Sequence, residues 1–160
     1  ACEKGARWHE ALGMFVEMRP RLVEPNVITC NAAISACGRG ARWNEALCIF
    51  SDMHLWRLQA DVTTYNAVIS ACGKGAQWHE ALDMFLDVRH CQLVPDRITY
   101  SAAINACEKS ARWHDALGLF SDMRRRRLPS CVVVYSATIS ACGRGARWHE
   151  AMGMFAEMRF

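Results

Sequence analysis

Four cysteine–histidine pairs, Cys2/His9, Cys72/His79, Cys107/His114 and Cys142/His149, share one spacing and offer two ligand types that zinc favours. Their surroundings argue against that chemistry. No Cys-x-x-Cys pair occurs, and Asn44 stands where the fifth histidine would fall. Each cysteine lies on an apolar helical stripe, whereas each histidine follows a tryptophan toward solvent, so no metal is expected. The sequence His79-Glu80-Ala81-Leu82 lacks the second histidine of a zinc protease, and His-Glu is not the His-x-Glu of a zinc deaminase. Nucleophile-elbow and phosphate-loop patterns are also missing, so neither a catalytic site nor a cofactor is expected.

Cations recur more persuasively. Lys4, Arg39, Lys74, Lys109 and Arg144 form a column that is basic in all five copies. Such regularly spaced cations suit the successive phosphates of a nucleic-acid backbone, with binding that weakens as salt rises. The same residues close a helix, where a cation favours the dipole by about 0.3–1 kcal/mol, and the two roles are compatible. Arg7, Arg42, Arg112 and Arg147 make a second column, interrupted by Gln77. Each stands three residues before Glu10, Glu45, Asp115 or Glu150, the spacing of a surface ion pair. The run Arg124–Arg127 reads as a solvated helix end. Glu17, Asp52, Asp87, Asp122 and Glu157 put acid on the convex side, opposite the basic turns. Net charge is only +3, so the placement of charge, not its sum, points to a polyanion.

These columns share a step of 35 residues, also kept by Trp8, Trp43, Trp78, Trp113 and Trp148 and by Cys2, Cys37, Cys72, Cys107 and Cys142. A fixed period in this range, free of insertions, marks a stacked-repeat architecture. Complete units span 27–61, 62–96 and 97–131, with partial units at 1–26 and 132–160, all in one continuous solenoid. Five of the nine cysteines occupy the repeated column, one per unit, and read as buried thiols in a reducing compartment. No stretch is long and apolar enough to span a bilayer, and no targeting segment is evident. The chain begins and stops inside repeats, which suggests a fragment of a longer array.

Each unit reads as two helices, making the fold all-α. The first helix is expected over approximately Thr29–Cys37, Thr64–Cys72, Thr99–Cys107 and Val134–Cys142, with Ala33, Ile34 and Cys37 on its apolar side. Gly38-Arg39-Gly40 and Gly73-Lys74-Gly75 follow, and glycine there would end the helix in the left-handed conformation. Glu108-Lys109-Ser110 lacks both glycines and should end its helix less cleanly. The second helix is expected over approximately Arg42–His54, Gln77–Arg89, Arg112–Arg124 and Arg147–Arg159. Its stripe of Trp43, Ala46, Leu47, Phe50 and Met53 makes the tryptophan and methionine columns core candidates. Pro25, Pro95 and Pro129 then close their units. One such hairpin cannot bury both apolar sides, so neighbours must stack into an α-α superhelix, right-handed by analogy with other helix-pair solenoids.

The unit resembles the pentatricopeptide repeat over the whole chain. The resemblance rests on the 35-residue period, on openings such as Val62-Thr63-Thr64-Tyr65-Asn66, on Glu80-Ala81-Leu82 with Phe85, and on Pro95-Asp96 and Pro25-Asn26 at unit ends. It implies a single-stranded RNA binder that reads about one base per repeat. The implied base-reading residues are Asn31, Asn66, Ser101 and Ser136 on the first helices, partnered by Asp61, Asp96 and Cys131, with Asn26 serving the leading unit. Ile28, Thr63, Ile98 and Val133 would wedge between bases. Asn offers both a donor and an acceptor, and a β-branched side chain is a stiff apolar surface for a base. Family usage implies uracil for Asn31/Asp61 and Asn66/Asp96. Serine implies a purine, although Cys131 departs from the expected Asp or Asn.

Two functions are therefore weighed. One is RNA binding in organellar RNA processing, stability or translation, in the chloroplast before the mitochondrion, alone or with other RNA-processing proteins. The other is a scaffold that grips a peptide in the same groove. The Asn/Ser and Asp columns and the basic turns favour the first.

Overall fold

The structure is a computed structural model of the 160-residue chain and describes residues 7–18 and 25–157. Among the described residues run nine α-helices and no strand. They are α1 (Arg7–Met18), α2 (Val27–Arg39), α3 (Trp43–Leu55), α4 (Val62–Lys74), α5 (Trp78–His90), α6 (Arg97–Lys109), α7 (Trp113–Arg125), α8 (Val132–Arg144) and α9 (Trp148–Glu157). The first helices α2, α4, α6 and α8 pack each on the next in an unbroken row. The second helices α3, α5 and α7 rest on their own first helix and on the one that follows, and their backbones do not approach one another closely. Among the described residues no helix is long and apolar enough to cross a membrane.

The first helices start two residues before the expected threonines, because the residue that ends each preceding unit is an N-cap. Asn26, Asp61 and Asp96 accept the backbone N–H of Thr29, Thr64 and Thr99 at 2.9, 2.8 and 2.8 Å. In return the Thr64 and Thr99 hydroxyl oxygens accept the backbone N–H of Asp61 and Asp96 at 3.3 and 3.1 Å, completing a capping box. The signal was legible as Asn/Asp-x-x-Thr. At α8 the run is Cys131-Val132-Val133-Val134, and no side chain caps the helix.

The helix ends correct two expectations. The first helices continue through Gly38-Arg39 and Gly73-Lys74, and no described glycine has positive φ. The left-handed residue is instead Ala41, Ala76, Ala111 or Ala146, with φ between 54° and 58°. There the N–H of the next residue reaches back to the cysteine carbonyl, as in Arg42→Cys37 at 2.9 Å and Arg147→Cys142 at 2.8 Å. This is a Schellman closure made with alanine. Glu108-Lys109-Ser110 ends its helix at the same register, through Ala111→Glu108 and Arg112→Cys107. The backbone bonds set the stop, and the glycines answer a need for space. A Cβ at Gly73 would meet Ala106 Cβ at 3.0 Å, and one at Gly38 would meet Ala71 at 3.4 Å, so these residues let α2–α4 and α4–α6 approach.

The core lies between the two layers. Cys37, Cys72, Cys107 and Cys142 are buried together with Ile34, Ile69, Ile104 and the alanines beside them. Each interface repeats one aromatic contact: Phe50–Tyr65, Phe85–Tyr100 and Phe120–Tyr135 meet edge to face at 5.1, 5.0 and 4.9 Å. Met53 and Met123 are buried as expected, but the tryptophans are not core. Trp43, Trp78 and Trp113 are half-buried, and Trp148, with no unit beyond it, is 63% exposed. Trp43 and Trp113 act as lids on the next turn. A Cβ on Gly75 would lie 2.3 Å from Trp43 Cδ1, and one on Gly145 would lie 2.1 Å from Trp113 Cδ1. Where Ser110 replaces that glycine, Trp78 folds back onto His79 at 3.4 Å, and Trp148 does the same onto His149 at 3.3 Å.

Candidate nucleic-acid interface

The row of first helices presents one face made of short polar and β-branched side chains. Asn66, Ser101 and Ser136 recur on it, and Ser70, Asn105 and Ser140 lie one turn further along the same face. That second polar column was not singled out from sequence, although its i+4 spacing from the first was readable. A cleft of about 380 Å³ opens between Asn66, Ser70, Arg97, Ile98, Ser101 and Cys131. It brings together three residues of the expected base-reading set and the wedge residue Ile98.

The asparagine–aspartate pairing forms within a unit, between its first helix and its last residue, which caps the first helix of the next unit. Asn66 Nδ2 donates to Asp96 Oδ1 at 3.2 Å, and that same oxygen accepts from Thr99 N and Thr99 Oγ1. The cap of α6 therefore fixes the carboxylate that orients the amide of the preceding unit. Asn66 is only 9% exposed, and its Oδ1 is buried without a hydrogen-bond partner; Asn31 Oδ1 is in the same state. Burial works to raise the Asp96 carboxyl, but the Thr99 N–H and hydroxyl and the Asn66 amide outweigh it and hold it below its usual range. Asp61 is lowered in the same way, against burial, by Thr64 and the Asn31 side chain.

The wedge column is open. Ile28, Ile98 and Val133 are 78%, 57% and 58% exposed, and Thr63 is exposed beside them. Ser136 is exposed on α8, and Asn26 is occupied in capping α2. Cys131 is half-buried at the start of α8, its thiol lowered by the Val134 N–H ahead of the Val133 N–H and Arg97.

The basic column divides. Arg39, Lys74, Lys109 and Arg144 are all exposed at the ends of the first helices, while Lys4 lies outside the described residues. Lys74 and Lys109 flank a cleft of about 200 Å³ that also holds Ser70 and Asn105. Arg144 instead bonds Glu108 Oε1 at 2.9 Å and donates to the carbonyls of Glu108 and Lys109. The second arginine column is engaged as its spacing implies: Arg42 Nε meets Glu45 at 2.7 Å, Arg112 Nε meets Asp115 at 2.8 Å, and Arg147 Nε meets Glu150 at 3.0 Å. Arg112 and Arg147 also lie over Trp78 and Trp113, at 3.8 and 4.7 Å, a cation–π contact between units that the sequence spacing did not reveal. On the far side Asp122 accepts Tyr100 Oη at 2.5 Å and Arg126 Nε at 3.2 Å, so this acid braces the layers as well as facing outward.

Burial pushes the thiols of Cys37, Cys72 and Cys107 up to about 11, 12 and 12, as expected of packing residues and not of ligands or nucleophiles. Among the described residues no three His, Cys, Asp or Glu side chains converge as a metal site would need.

Family comparisons agree with this architecture. Models described as the PPR repeat family and the PPR repeat match residues 25–74 and 60–109, and 98–128 and 133–160, respectively. Comparison with curated proteins returns no match. Among solved structures the chain is similar to the maize pentatricopeptide repeat protein PPR10, with 26% identity and a TM-score of 0.74 over 97% of this chain and 22% of that one. It is also similar to PPR10 in complex with an 18-nt psaJ RNA element, with 22% identity and a TM-score of 0.77 over 90% of this chain and 21% of that one. The PPR domain of Arabidopsis thaliana protein-only RNase P 1 in complex with tRNA superposes with a TM-score of 0.79 at 14% identity, over 99% of this chain and 86% of that one, a likeness of fold. The chain thus spans about a fifth of the length of PPR10. Matched along nearly all of its described length, it belongs to the pentatricopeptide repeat family.

Proposed function

We propose that the chain binds single-stranded RNA along the row of first helices, reading about one base per unit, and that it has no catalytic role of its own. The observation that carries this is the Asn66–Asp96 pair, held at 3.2 Å between the first helix and the last residue of one unit, with the amide oxygen buried and unpartnered. A buried carbonyl without a donor is costly, and a base N–H would satisfy it after a small turn of the amide. With Nδ2 committed to Asp96, the asparagine offers an acceptor, which suits the imino N–H of uracil. Asn31 with Asp61 repeats the arrangement one unit earlier. Ile28, Thr63, Ile98 and Val133 then separate the bases, and Arg39, Lys74 and Lys109 follow the backbone. Complexes of PPR10 and of protein-only RNase P 1 with RNA add support at the level of the family. The setting, organellar RNA processing, stability or translation with the chloroplast before the mitochondrion, is carried over from the family resemblance, as is recruitment of other processing proteins.

Fluorescence anisotropy tests this with short U-rich RNA, A-rich RNA and DNA of equal length at two salt concentrations. Salt-sensitive binding with preference for U-rich RNA is expected. Stacking contributes on the order of 1–3 kcal/mol per base, so affinity with this few units should be modest. Equal binding of all three oligomers would reject base reading. No binding by a folded chain, together with capture of an extended peptide, would favour the scaffold function.

A further inference from the structure

Glu108 stands in a column otherwise held by glycine: Gly38, Gly73 and Gly143 occupy the equivalent place in the other described units. At Gly38 and Gly73 the absent side chain lets adjoining first helices close up, as with Gly73 against Ala106. At Glu108 the side chain crosses to α8. Its Oε1 accepts from Ser140 Oγ at 2.8 Å and from Arg144 Nη2 at 2.9 Å, while Arg144 Nη1 donates to the Glu108 carbonyl at 3.1 Å. The carboxylate is 18% exposed and Arg144 is 50% exposed, so the pair sits at the groove rim with the arginine turned back toward α6. Beside it a cleft of about 400 Å³ opens among Asn105, Glu108, Val133, Ser136 and Ser140. Arg144 meets this carboxylate from the unit before its own; for Lys74 and Lys109 the equivalent positions are Gly38 and Gly73, which carry no side chain.

Resting on the RNA-binding function above, we infer that Glu108 ends the phosphate track. It neutralises the cation that would take the next phosphate and places a negative charge beside the strand. The grip on the backbone therefore runs past Lys74 and Lys109 and lapses at the boundary between 97–131 and 132–160, where the capless Cys131 also departs from the base-reading pattern. A strand is held tightly before that boundary and released beyond it. In the sequence Glu3 holds the same column three units earlier, directly before Lys4 as Glu108 is directly before Lys109.

The test compares the wild type with Glu108→Gln, which keeps the shape and removes the charge, and with Glu108→Gly, which restores the residue of the other units. Anisotropy is measured with a U-rich RNA across a fourfold range of salt, and thermal melts follow the fold. Each phosphate newly engaged by a freed Arg144 steepens the slope of log affinity against log salt by about 0.7, or about 2.5-fold more loss of affinity across that range. Both variants should show this, with tighter binding at low salt, and adding Arg144→Ala to Glu108→Gln should return the slope to the wild-type value. A change in melting temperature with no change in slope would make the Glu108 contacts a structural tie only and overturn the inference. The comparator Lys74→Ala should flatten the slope. If Lys74→Ala flattens it and neither Glu108 variant alters it, the interruption is rejected while RNA binding stands. If the wild type binds no RNA, the underlying function is overturned and this inference with it.

Discussion

One carboxylate oxygen of Asp96 accepts three hydrogen bonds, two that cap α6 and one that orients Asn66 of α4. Stability and the proposed base reading thus share an atom, and each can be probed separately. Asn66→Ser should move the preference at one base from uracil toward a purine and leave the helical circular-dichroism spectrum unchanged. A hydrogen bond of about 1 kcal/mol sets the expected scale at about fivefold. Competition between oligomers that differ at one position measures it, and an unchanged preference would count against Asn66 as a reader. Acid reports the capping half. A carboxyl held below its unfolded value stabilises the fold fully above the ordinary carboxylate range, and that contribution is lost as pH falls through the lowered value. Urea midpoints should therefore fall as pH drops below about 4. The decline should be shallower in an Asp61→Asn/Asp96→Asn variant, since asparagine at Asn26 already caps α2 without titrating.

At the scale of the element, the turn between paired helices shows how far local rules reach. Its length, its place and the two helices it joins were legible from the period and the apolar stripes. The identity of its left-handed residue was not. Glycine propensity pointed to Gly38 or Gly40, yet the bond closing onto Cys37 places positive φ on Ala41. The glycines answer to the next unit, a tertiary demand invisible to any rule applied within one turn. The tryptophans were misassigned for the same reason, because their burial depends on what the following unit lays beneath them. Two opposite substitutions separate these causes. Ala76→Gly relieves an alanine at φ 58° and should raise stability by about 0.5–1 kcal/mol. Gly75→Ala puts a methyl into the Trp43 indole and should cost about 1 kcal/mol, the lower end of overpacking penalties, since Trp78 opposite Ser110 shows that the indole can fold away. Denaturant midpoints check both, and a gain from Gly75→Ala would mean that backbone entropy, not indole packing, governs this turn.

For the whole molecule, units joined only to their neighbours should open from the ends inward. The buried cysteines provide one reporter in each of four consecutive units. Cys48 and Cys91 are exposed and should react first with a thiol reagent. Cys142, in the last described unit, should follow, and Cys72 and Cys107 should be slowest, their thiols being raised to about 12 by burial. Mass spectrometry of the labelled peptides gives the order, and one common rate for all the buried thiols would mean the array opens as a single block. The separation of the outer helices has a mechanical consequence. Because α3, α5 and α7 have no close backbone approach to one another, the outer layer is joined between units by side chains such as Arg112 over Trp78 and by its packing on the next first helix. The inner row sets the length of the array, with its closest approaches at Gly38–Ala71 and Gly73–Ala106 acting as pivots. Such a body is a spring with a stiff inner seam: its pitch can lengthen or shorten by small tilts at each pivot while every helix keeps its own hydrogen bonds, so the spacing of its groove adjusts elastically to whatever is laid along it.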